Sequence, residues 1–290
     1  MTCAHCGAST APGFAVVTRK EFRDALARAD REIQLQPDDV SVSGIRYRVL
    51  GTLARGEHAD VLLAERARRL TERVVLKVFR SAADVDAAAR EWEALSALST
   101  SDAQGAAHFT MRLPSPVARG VARLPSGAEL PCVVTRAQPG SRWNLEDVRR
   151  AFPGGLDARH AVWMWRRLLE LLGWVHESGW VHGAVVPQHV VVNEREHGAT
   201  LVSWSRAAKT GDGKSVSADI VMAARSIDSL LGPTEPVPAP LRTLVDECVA
   251  GVAGAEDAWV LKERVADAAA KAYGPPAFVP FHMPSSLERS

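Results

Sequence analysis

Apolar positions alternate in short runs through the first half of the chain and recur at helical spacing through the second. Two-residue alternation or short apolar runs mark strands at 47–50, up to 63, and at 74–79, 117–122 and 130–135, the last two around the turn Pro125-Ser126-Gly127. One helix, over 82–99, interrupts them, with Leu95 and Leu98 on its apolar stripe. A second amphipathic helix is predicted earlier, over 20–34, where Phe22, Leu26, Ala29 and Ile33 share one face. Beyond residue 140 the spacing changes. Val162, Trp165, Leu168, Leu169, Leu172 and Val175 recur at 3.6-residue spacing after Asp157, a good N-cap, and mark a buried helix. Two short strands, 189–193 and 200–202, flank a turn-rich hairpin at 194–198. Helices follow over 218–231, 241–250 and 257–273, and a Pro- and aromatic-rich tail, 274–284, reads as an irregular strap. The order is that of an α+β chain: antiparallel strands with one helix, then mostly helices.

Some polar residues interrupt these patterns where burial would penalise them. Lys77 stands inside Val74-Val75-Leu76-Lys77-Val78-Phe79, and a lysine there needs a partner. Glu91, with Glu93 as second choice, lies on the following helix within Arg90-Glu91-Trp92-Glu93-Ala94-Leu95 and supplies one. Upstream, Ala54-x-Gly56-x-x-Ala59-x-Val61 joins two strands. Downstream, Val181-His182-Gly183-Ala184 precedes the short hairpin, Ser203-Trp204-Ser205 follows it, and Asp219 opens the next helix.

In this order and spacing the stretches resemble the protein-kinase family, from about Val42 to the C-terminus. Ala54 to Val61 is similar to the glycine-rich loop G-x-G-x-x-G-x-V with only its middle glycine kept. Val74 to Lys77 resembles V-A-I-K, Glu91 the glutamate of the neighbouring helix, and Asp219 the aspartate that tethers the catalytic loop. The resemblance implies a two-lobed protein-kinase-like fold. Residues 42–139 would form a small lobe of antiparallel sheet with one helix, 140–290 a mostly helical large lobe, and 1–41 an N-terminal extension. It implies a nucleotide site at Gly56, Lys77 and Glu91. It also implies what has been lost. Aligned on His182, the catalytic aspartate falls at Ala184, the lysine at Val186, the metal-binding asparagine at His189, and the aspartate of D-F-G at Ser203. Alanine accepts no proton, valine contacts no phosphate, and a neutral serine is a poor magnesium ligand. The losses fall on reacting groups while frame residues such as His182 and Pro187 stay. The expectation is a bacterial-type pseudokinase without a catalytic residue, serving as scaffold or allosteric protein-binding module and binding ATP, if at all, without magnesium. A divergent nucleotide-dependent phosphotransferase using other carboxylates, with Asp212 and Glu196 nearest in sequence, is the alternative.

Composition narrows the classes of partner. The 290 residues carry a formal net charge of +1, which gives no electrostatic reason to expect nucleic acid or an anionic membrane. With 47% hydrophobic and 24% charged residues the chain can bury a full core, yet no apolar run is long enough to span a bilayer. The start lacks the pattern of a signal peptide, and four cysteines make no disulfide framework, so the cytoplasm is the expected compartment. Cys3-x-x-Cys6-Gly7 resembles half of a zinc ribbon. It reads either as an exposed pair or as a zinc site completed by a distant residue or a second chain. The second case gives a third function, a metal-dependent adaptor. His182, His189 and His197 read as core or turn residues rather than metal ligands. A protein partner is expected; the sequence does not name it.

Overall fold

A computed structural model describes residues 39–67, 72–138, 140–194, 196–212, 215–251 and 257–284, with Lys20 and Arg23. Cys3, Cys6 and most of the helix expected over 20–34 lie outside the described residues.

Strands β1 (Asp39–Val42), β2 (Ile45–Arg55), β3 (Ala59–Arg66), β4 (Arg73–Phe79), β5 (Pro116–Arg123) and β6 (Glu129–Arg136) are all antiparallel. They close into a barrel in the order β1-β2-β3-β4-β6-β5. The sequence predicted a sheet; β1 makes it a barrel by bridging β2 (Val42↔Ile45) and β5 (Val42↔Ala122). That strand begins ahead of position 42, and its Val40 and Val42 are buried with Tyr47, Leu76, Cys132 and Val134 inside the barrel. Alternation along β4 explains its unbroken apolar sequence. Leu76 and Val78 fill the interior, while Phe79 packs with Ala59, Ala88 and Val133 beneath helix α1 (Val85–Ser99). Lys77 shares that outer side.

A 3-10 turn at Ala82–Asp84, capped by the Ser81 side chain, leads into α1. The linker to β5 carries a short helix, α2 (Ala106–Phe109), which sequence periodicity did not reveal. Past β6 come β7 (Ser141–Asn144), α3 (Leu145–Ala151) with an Asn144/Asp147 capping box, and α4 (Ala158–Glu177) capped by Asp157 as expected. β8 (Trp180–Val181), β9 (Val190–Asn193), β10 (Gly198–Leu201) and β11 (Ala208–Lys209) frame the turns that carry the motifs. β9 pairs with both β10 and β7, and β8 with β11. Helices α5 (Val216–Asp228), α6 (Ala239–Val249) and α7 (Ala258–Tyr273) complete the chain. The tail after Gly274 has no regular structure, and it buries Phe281 and Met283 against the helices. Leu95 and Leu98 of α1 belong to the helical core, so one helix touches both packing units. Among the described residues no helix is long and apolar enough to cross a membrane.

Candidate functional site

The expected partnership of Lys77 and Glu91 is formed. Lys77 Nζ donates to Glu91 Oε2 at 2.5 Å, with the side chains 12% and 5% exposed. Pairing through β3 and β6 holds the lysine in register (Val61↔Lys77↔Val133), and Phe79 lies 5.2 Å beneath its ammonium. Two further contacts were not foreseen. Lys77 also donates to Ser203 Oγ at 2.9 Å and to Ser205 Oγ at 3.4 Å. An ammonium has three donors, so all three are used inside the protein.

Ser203 reaches the lysine from a left-handed backbone, φ 68° and ψ 64°, which is unusual for a residue with a Cβ. Trp204 next to it is fully buried, donates Nε1 to Leu201 O at 3.0 Å, and meets the His182 ring edge-on at 4.6 Å. Arg90 of α1 donates Nε to Ser205 O at 3.2 Å. Arg90 thus fastens α1 to the 203–205 turn directly, and Glu91 does so through Lys77.

Asp219 anchors the other turn. Its carboxylate is fully buried and accepts from His182 N at 2.7 Å and Gly183 N at 2.8 Å, with His176 Nε2 at 3.2 Å. Gly183 has φ 72°, the conformation that lets both amides converge on one carboxylate. His176 is a member of this site that sequence reasoning missed; its signal was a polar residue at the end of an otherwise apolar helix stripe.

The His182 ring is completely buried. Nε2 lies 3.1 Å from Val202 O and Nδ1 accepts from Ala184 N at 3.3 Å, which fits the neutral tautomer with hydrogen on Nε2. Burial pushes its pKa down from 6.5 to about 4. His189 Nδ1 lies 2.8 Å from Ala184 O, and burial again lowers its pKa. Among the described residues no group of three or more His, Cys, Asp or Glu side chains is placed to hold a metal ion.

No protein-family model matches the sequence, and no curated protein matches it either. Solved structures do. The kinase domain of a Toxoplasma gondii specific rhoptry antigen superposes with TM-score 0.60 at 14% identity, covering 86% of this chain and 92% of that one. The BubR1 kinase domain gives 0.59 at 12% identity over 89% and 95%. Vaccinia related kinase 3 gives 0.60 at 12% over 90% and 99%. The fold is that of the protein kinases.

The kinase fold puts each motif in a common frame. Gly56 sits in the tight turn between β2 and β3, its amide donating to Ala59 O at 2.9 Å. Its φ is not left-handed, so the turn does not use the freedom that the glycine-rich loop of the resemblance would require. Ala184, Val186, His189 and Ser203 lie on the turns framed by β8, β9 and β10, and of these Ser203 meets Lys77. Asp212 and Glu196, the replacement carboxylates considered from sequence, are on exposed turns, past β11 and between β9 and β10. At the two positions where the resemblance would place magnesium ligands stand His189 and Ser203, neither of which offers the anionic oxygen that a hard cation prefers.

Proposed function

We propose that the chain is a two-lobed, non-catalytic member of the kinase-like superfamily, a pseudokinase that works as a scaffold or allosteric protein-binding module. The observation that carries this reading is the state of Lys77. Its three donors go to Glu91, Ser203 and Ser205, leaving none directed at a phosphate. A lysine so satisfied supports the framework between α1 and the 203–205 turn. The neutral groups at Ala184 and Ser203 support the same reading, since an alanine accepts no proton from an acceptor hydroxyl and a serine is a poor magnesium ligand. ATP binding in this reading is weak and independent of magnesium. Zinc at Cys3 and Cys6, and the adaptor role it would serve, is a separate proposal outside the described residues.

A divergent phosphotransferase would keep the Lys77–Glu91 pair as well. A radiolabelled phosphate-transfer assay with magnesium or manganese separates the two. We expect no incorporation into the protein or a generic acceptor. Incorporation that disappears in Lys77→Met would establish the second reading in place of the first.

A further inference from the structure

We propose that the face where α4, α7 and the turn after α2 meet is a binding site for a phosphate monoester, built from Arg112, Arg166, Arg167 and Lys262. Arg166 and Arg167 stand on α4, Lys262 on α7, and Arg112 on the 3-10 turn Thr110–Arg112. Three of the four converge on Glu170. Arg167 Nη1 donates to Glu170 Oε2 at 2.8 Å, Arg112 Nη1 donates to the same oxygen at 3.3 Å, and Lys262 Nζ lies 3.9 Å from Oε1. The Glu170 and Arg112 side chains are only 14% and 17% exposed, so most of this pair is withdrawn from water. Lys262 also pairs with Glu263 at 2.9 Å. Four cations thus face two carboxylates, which leaves an excess of two positive charges among the described residues.

Arg166 is the member that support of the fold does not explain. It makes no hydrogen bond or ion pair with a described residue, and its Nε is shut off from water without a partner. Its charge belongs to the same cluster: the hydrogen bond from Lys262 holds the Glu263 carboxyl low, and Arg166 adds to that. Burial, and after it the Arg167 charge, push the Arg112 pKa down, the mark of guanidinium groups crowded beyond their neutralisation. Each guanidinium carries five donors. Among the described residues Arg112 spends one on Glu170, Arg167 spends two on Glu170 and His197 O, and Arg166 spends none. A phosphate monoester brings about two negative charges and three acceptor oxygens, which answers both the charge excess and the idle donors. A carboxylate brings one charge and two oxygens and leaves half of the excess standing. The Phe109 and Trp259 rings lie 5.8 Å from the Arg112 guanidinium and 5.6 Å from Lys262 Nζ, so both cations are placed before any ligand arrives. No hydrogen bond or ion pair of the described residues joins this cluster to Lys77, Ser203 or Ser205, and the inference does not depend on whether the cleft is catalytic.

Isothermal titration of the full-length chain at constant ionic strength tests the site, with inorganic phosphate, O-phosphoserine and a short peptide with a central phosphoserine as probes. The key variant is Arg166→Gln, which removes no hydrogen bond of the folded chain and should leave its melting temperature unchanged. The control is Arg123→Gln, at an exposed position on β5. We expect saturable binding that is unchanged in Arg123→Gln and at least tenfold weaker in Arg166→Gln. No binding of any probe to the native chain overturns the proposal. Equal affinity in the native chain and Arg166→Gln overturns it as well, and places the phosphate elsewhere, such as near Lys77. A copy of the peptide with glutamate in place of phosphoserine that binds as tightly as the phosphopeptide contradicts the assignment to phosphate. Within the supporting result the probes separate the sources. A phosphopeptide bound at least tenfold more tightly than inorganic phosphate assigns the site to a phosphorylated protein, and equal affinities assign it to a free phosphate compound.

Discussion

At the scale of single residues, Lys77 and His182 show how buried charge and its avoidance shape the site. Lys77 and Glu91 are partners in a low-dielectric position, so removing one strands the other. Lys77→Met or Glu91→Gln should each lose about 3 to 5 kcal/mol in urea denaturation, and the double variant Lys77→Met/Glu91→Leu should recover part of that loss. Additive losses in the double variant would mean the pair is not coupled. The pairing was legible in sequence because a lysine in an unbroken apolar run has few ways to be satisfied. The serines were not legible: a hydroxyl leaves no periodic signature, and Ser203 reaches the lysine only through its left-handed backbone. His182 runs in the opposite direction, kept neutral by burial. Its folded pKa, about 4, lies below the 6.5 of an accessible imidazole, so the unfolded chain binds the extra proton between these values. The stabilisation is complete above pH 6.5 and is lost as pH falls towards 4, on the order of 3 kcal/mol for the full shift. NMR of the His182 imidazole should show the neutral form persisting from pH 7 to pH 5. A titration midpoint near 6.5 would contradict the buried tautomer.

At the scale of elements, β1 is the piece that changes how the chain should be cut. Sequence reading placed a boundary at 42 because the polar stretch Pro37-Asp38-Asp39 looked like the end of a helix. A four-residue strand with only two valines gives too little alternation to stand out, yet both valines are buried in the barrel. Burying a valine side chain is worth about 1.5 to 3 kcal/mol. Deletion of residues 1–38 should therefore leave the thermal stability of the body near that of the full chain. Deletion of 1–43 should lower it by several degrees or more and expose the free edges of β2 and β5 to aggregation. Similar melting curves for the two truncations would show that β1 does not close the barrel in solution. The longer strands of the barrel, the 190–201 hairpin and the long helices were legible, since each has a buried face long enough to show its period, whereas β7, β8 and β11, of two to four residues, were not. The short α2 escaped because one turn of helix carries no repeat.

At the scale of the whole molecule, apolar contacts join α1 to the helical core through Ala94, Leu95 and Leu98, and polar links add to them. Lys77 and Arg90 reach the 203–205 turn on one side. On the other, Gln138 donates Nε2 to Leu113 O at 2.7 Å and Met111 O at 3.1 Å while accepting from Thr200 Oγ1 at 3.2 Å. Gln138 thereby ties the β6–β7 connection both to the α1–β5 linker and to β10, a role invisible in sequence because all its partners are distant in the chain. The central claim is that Lys77 is satisfied by the protein and that no group at Ala184, His189 or Ser203 recruits magnesium to a nucleotide. The most direct measurement is the melting temperature of the full chain across a titration of ATP, with and without magnesium. A ligand raises it only through binding to the folded state, by an amount that grows with concentration over Kd. The account predicts a shift of at most a degree or two at millimolar ATP, equal with and without the metal. A rise of several degrees at micromolar ATP that requires magnesium would contradict it.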